Sequence, residues 1–137
     1  MLELTDGARV TAGIVLFTIV GIESGGWFLL KVVTGRVPAT DFQKSFFRAG
    51  HAHAGVLVTL GLLSLVLTQA TELTGFLRWI ASTGVLIAAI LLPAGFFFSA
   101  IGKGRTSPNR WAVLFPVGAV FLAAGVVILG IGLLTLS

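Results

Sequence analysis

The sequence predicts an all-α protein, a transmembrane four-helix bundle of two antiparallel hairpins with both termini outside, and three observations predict it. Only 10% of the 137 residues are charged while 56% are hydrophobic, and the mean hydropathy is +1.06, whereas roughly a quarter of the residues in soluble domains are charged. Four mostly apolar runs, 10–30, 46–68, 79–101 and 111–136, each reach the roughly 20 residues that a helix needs to cross the hydrocarbon core. The stretches between them are short. Residues 1–137 therefore read as a single membrane domain with helices at about 9–33, 42–69, 75–102 and 109–136.

The first apolar run follows Glu3 and Asp6, with Arg9 at its edge, the opposite of a basic signal-peptide start, and no A-x-A cleavage site follows it. It reads as a retained helix. The first connector, 34–41, carries Gly35 and Pro38 and ends on Asp41, the expected N-cap of the second helix. The second connector, 69–75, is short and polar. The third, 102–109, is the most loop-like, with Asn109 the expected cap of the fourth helix. Pro93 and Pro116 lie within spans, where a freed carbonyl adjusts helix shape for packing. Pairs of small residues, Gly21 with Gly25, Gly50 with Ala54 and Ala119 with Ala123, are expected where helix backbones approach. The fourth helix, with Gly118, Gly125, Gly130 and Gly132, reads as a packing helix or an oligomer contact.

Charge assigns the sides. The first and third connectors with their flanks hold Lys31, Arg36, Lys44, Arg48, Lys103, Arg105 and Arg110, against Arg9 and Arg78 on the opposite side. The positive-inside rule puts those connectors in the cytoplasm. The sequence pI near 10.8 comes without any base- or phosphate-recognition motif, which argues against nucleic acid and for anionic lipids at the cytoplasmic loops as partners. The chain has no cysteine, so disulfides and thiolate metal sites are excluded.

The residues that invite chemistry lie in the first two helices. Glu23 sits in mid-span, where an ionisable group costs on the order of 3 kcal/mol unless paired or neutralised. Glu23 and His51 are each 14 residues from Val37, so an antiparallel hairpin of ideal helices puts them at one depth. On the second helix Lys44, Arg48, His51, Gly55 and Thr59 form one polar stripe at spacings of 4, 3, 4 and 4. His53 points about 160° away from His51 and shares a face with Phe46, Leu57, Leu60 and Ser64. One regular helix face thus does not bring both histidines to one metal.

Three chemistries fit that set. A metal could take Glu23 and a histidine, giving Glu23, His51 and His53 as candidate ligands, although a closed site wants about four. A haem could take His51 or His53 as one axial ligand, with the other position open or filled by another subunit. A proton relay through Glu23 and His51, tuned by Arg48, needs the fewest parts. Against these stands a purely structural role, a Glu23–Arg48 or Glu23–His51 pair holding hairpin register with His53 bonded to a carbonyl or hydroxyl on the third helix. Trp27, one turn from Glu23, could pack over it, while Trp79 and Trp111 read as interface anchors. The run Phe96, Phe97 and Phe98 reads as lipid-facing, with a cofactor wall the alternative.

The segments 23–30 (ESGGWFLL), 47–56 (FRAGHAHAGV) and 92–99 (LPAGFFFS) resemble an uncharacterised family of small bacterial four-helix integral membrane proteins. That resemblance implies the fold and a multi-pass place in the bacterial inner, cytoplasmic membrane, and no activity. The arginine and histidines of the second helix are also similar, over about ten residues, to the haem-ligand helix of haem-copper oxidase core subunits, whose remaining histidines are absent here.

The expectation is a small membrane protein that binds a haem, a transition metal ion or another ligand, or relays protons, through Glu23, Arg48, His51, His53, Trp27 and Thr59. Alternatives are an oligomeric proton-coupled transporter or channel, and an accessory subunit of a membrane complex. A homo-oligomer or larger complex is expected in each case. No nucleophile–base pair, P-loop or zinc-protease motif points to an enzyme.

Overall fold

A computed structural model describes residues 3–135. Its four long helices are α1 (Asp6–Val33), α2 (Asp41–Thr68), α3 (Gly75–Ala100) and α4 (Leu114–Leu134), the last entered through a 3-10 turn, Arg110–Val113. All four spans are long and apolar enough to cross a membrane, the makings of a multi-pass membrane protein. Leu136, the expected end of the fourth helix, lies outside the described residues.

Helix starts follow local hydrogen-bonding chemistry. Thr5 caps α1 by accepting from the Ala8 amide. The cap of α2 is Thr40 and not Asp41: the Thr40 hydroxyl accepts from the Gln43 amide and the Gln43 side chain accepts from the Thr40 amide, a reciprocal capping box. Asp41 stands one position inside and pairs with Lys44. Asn109 caps the 3-10 turn as expected, accepting from Trp111 N–H at 2.9 Å.

The helices pack in order of sequence. Extensive contacts join α2 to α3 and α3 to α4, a smaller set joins α1 to α2, and α2 touches α4 lightly. None of the most apolar stretch of α1 is buried by the rest of the chain. At the α3–α4 seam the backbones come close: Gly118 and Gly125, seven residues apart, are buried on α4, and a Cβ at Gly84 of α3 would stand 2.9 Å from the Phe121 carbonyl, while the buried Gly132 meets Leu73 of the second connector. Such backbone proximity substitutes for a hydrophobic drive that lipid does not provide. Ala119 and Ala123, expected at a close approach, face outward. On α2, Gly50 admits Phe96 and Phe97, and Gly61 admits Leu86.

At the basic end the first and third connectors are tied together. Gln43, only 7% exposed, donates through Nε2 to the carbonyls of Ala100 at 2.9 Å and Gly102 at 2.8 Å. Thr40 Oγ1 donates to the Arg105 carbonyl at 2.5 Å. The two hairpins thus share one end.

Candidate functional site

One face of α2 carries His51, Gly55 and Thr59, and α1 packs along it. His51 is half-buried with its ring in the notch left by two glycines of α1: a Cβ built at Gly26 would stand 3.3 Å from Nε2, and one at Gly25 would stand 3.4 Å from Nδ1. A groove of about 640 Å³ runs from His51 along Gly55 and Thr59 toward Leu63, with Ile22 of α1 on its flank. Its walls are apolar except for the imidazole and Thr59, whose hydroxyl already donates to the Gly55 carbonyl at 3.0 Å. The polar stripe read from spacing is therefore real over His51, Gly55 and Thr59, while Arg48 lies exposed one turn nearer the basic end.

Glu23 does not join them. It is exposed on α1, and among the described residues the ion pairs are Arg9–Asp6 and Lys44–Asp41, so neither Arg48 nor His51 meets it within 4 Å. Side-chain direction explains this. Helical side chains lean toward their own N-terminus, so in an antiparallel pair His51 leans toward the connector and reaches Gly25 and Gly26, while Glu23 leans away from it. Equal distance from the connector places Cα atoms at one level and their side chains at two.

His53 occupies the other flank of α2. Its ring lies 4.8 Å from that of Phe96, and it borders a smaller groove of about 170 Å³ with Ala52, Val56 and Leu57. Its Nδ1 lies 2.8 Å from the Ala49 carbonyl. A carbonyl only accepts, so the Nδ1–H donates to it, a bond that fixes the orientation of the ring. The carbonyl belongs to its own helix, not to α3. His51 and His53 thus face α1 and α3 respectively, and among the described residues no three His, Asp or Glu side chains gather as a metal would need. The set Glu23, His51 and His53 is not assembled within one chain.

Trp27 does not pack over Glu23. It is 60% exposed and lines a small cleft with Leu30, Lys31, Thr34 and Arg36 at the basic end, the position of an interface anchor. The phenylalanine run faces inward more than the sequence suggests. Phe97 stacks on Phe47, and Phe96 meets Phe46, Phe115 and His53; only Phe98, against Trp111, is exposed. Sequence reasoning missed the Thr40–Gln43 latch, although T-x-x-Q before an apolar run is a readable signature.

No protein-family model, curated protein or solved structure matches the chain.

Proposed function

We propose that the protein is a multi-pass protein of the bacterial cytoplasmic membrane that binds a largely apolar ligand in the α1–α2 groove, with His51 as its donor atom and haem the best-fitting candidate. The observation that carries this reading is the groove itself: about 640 Å³ of apolar wall, within the range of small-molecule sites, with one imidazole held at its end by a two-glycine notch. A haem fits that donor set. His51 would be the ligand to its iron, Val56, Leu60 and Leu63 of the groove wall would hold the ring, and Arg48, on the same stripe toward the basic end, would offer charge to its carboxylates. When bound, haem supplies redox or gas-binding chemistry; this chain's residues hold it and exclude water.

A direct proton relay is less well supported, because Glu23 and His51 make no contact within the chain. A register pin is less well supported for the same reason. Assembly with a second copy or a larger complex is favoured by α1, whose apolar outer face the described residues leave uncovered and which carries Glu23, a costly group with no ion-pair partner among the described residues.

The test is an absorption spectrum and metal analysis of the protein purified in mild detergent, before and after addition of haemin. A Soret band at a fixed ratio to chain, lost in His51→Ala and retained in Glu23→Gln, is expected. Absence of both a Soret band and stoichiometric metal in the wild-type protein overturns the reading.

A further inference from the structure

A second cleft, of about 410 Å³, lies at the basic end between the first and third connectors, lined by Pro38, Ala39, Thr40, Gly102, Lys103 and Gly104 among others. The carbonyls of Ala100, Gly102 and Arg105 are taken by Gln43 and Thr40, bonds that hold the two connectors together around the cleft. The amides of Gly102, Lys103 and Gly104 donate to nothing among the described residues. Gly102 and Gly104 have φ of +130° and +65°, a backbone that side-chain-bearing residues rarely adopt, and successive amides in such a turn form concavities that bind anions. Lys103 adds an ammonium to the same rim.

The surroundings carry the same sign. Seven Lys and Arg residues mark this end of the molecule, and Asp41 is the single carboxylate among them; it is paired with Lys44. Helix termini put the cleft at the edge of the apolar spans, the depth of the lipid headgroups.

We propose that this cleft binds the phosphodiester of an anionic phospholipid, with the 102–104 amides and Lys103 as donors. The proposal rests on the membrane reading above but not on the His51 groove, and it sharpens a general attraction to anionic lipid into one seat for one headgroup. A diffuse positive field makes all basic residues of this end nearly equivalent; a seat singles out Lys103.

Native mass spectrometry of the protein in mild detergent, titrated with phosphatidylglycerol or phosphatidylcholine, separates these cases. One phosphatidylglycerol retained per chain in preference to phosphatidylcholine is expected, weakened on the order of ten-fold in Lys103→Glu and much less in Arg110→Glu, which lies at the same end outside the cleft. Equal retention of the two lipids, or equal weakening by the two substitutions, overturns the proposal. Complete displacement by millimolar inorganic phosphate also overturns it, by making free phosphate the ligand. His51→Ala should leave the titration unchanged, so loss of the haem reading and loss of this one are told apart.

Discussion

At the residue scale the controlling fact is how His51 is seated. An imidazole on a membrane helix can be buried against a neighbour only if that neighbour gives up side-chain volume, and Gly25 and Gly26 do so. A Cβ at Gly26 would sit 3.3 Å from Nε2, so alanine asks for a shift of a few tenths of an ångström, and the branched Cγ atoms of valine ask for the space of the ring itself. Gly26→Val should therefore swing His51 out of the notch and weaken haem binding about ten-fold or more, while helix content stays unchanged; such a loss corresponds to about 1.4 kcal/mol. Gly21→Val is the matched control, because nothing lies within 4 Å of its Cβ position. Haemin titration with circular dichroism checks the pair, and equal affinities for both variants would remove the notch from the account. Glu23 shows the complementary point: a residue count says nothing of the direction in which its carboxylate points, and the His51 ring sits beside Gly25 and Gly26 instead.

At the scale of elements, the α3–α4 seam shows where stability is most exposed to substitution. Gly84 lies with its Cβ position 2.9 Å from the Phe121 carbonyl and 3.1 Å from Gly125 Cα, both backbone atoms that cannot swing aside. Gly84→Ala should destabilise the protein by about 1–3 kcal/mol, the usual cost of overpacking, whereas Gly130→Ala, with open space around it, should be neutral or slightly stabilising by helix propensity. Thermal unfolding in detergent by intrinsic Trp fluorescence reads both, and equal midpoints would count against the seam. The same elements show what could be read in advance. Apolar runs of bilayer length fixed the existence of all four helices, because that signal is local and strong. Glycine spacing found small residues but not their faces: Gly118 and Gly125, seven apart, line the seam and Gly132 meets Leu73 of the second connector, while the i, i+4 pair Ala119 and Ala123 faces outward. Which side of a uniformly apolar helix is covered depends on its neighbours, and lipid, being apolar too, leaves no polar face to mark the difference. The stripe of His51, Gly55 and Thr59 was legible because polarity interrupts it. The aromatic cluster of Phe46, Phe47, Phe96 and Phe97 was not, since an inward and an outward phenylalanine look alike in sequence.

At the scale of the whole molecule, charge divides the bundle into two unlike ends. The connector pair tied by Thr40 and Gln43 carries the basic excess, while the other end sets Arg9 and Arg78 against Glu3, Asp6 and Glu72. Two basic residues stand at that end against seven at the other, and the positive-inside rule counts Lys and Arg. Orientation by the positive-inside rule therefore has one strong outcome: connectors one and three inside, connector two and the termini outside. Because the chain has no cysteine, single introduced thiols report this without background. Glu72→Cys, exposed in the second connector, should react with a membrane-impermeant maleimide in intact spheroplasts, and Thr106→Cys, exposed in the third, only after the membrane is permeabilised. The opposite pattern would place the 102–104 amides on the outer surface and would require the basic cleft to find its phosphate in the outer leaflet. It would leave the His51 groove untouched, since a site near mid-membrane, walled by α1 and α2, is open to the same hydrocarbon from either orientation.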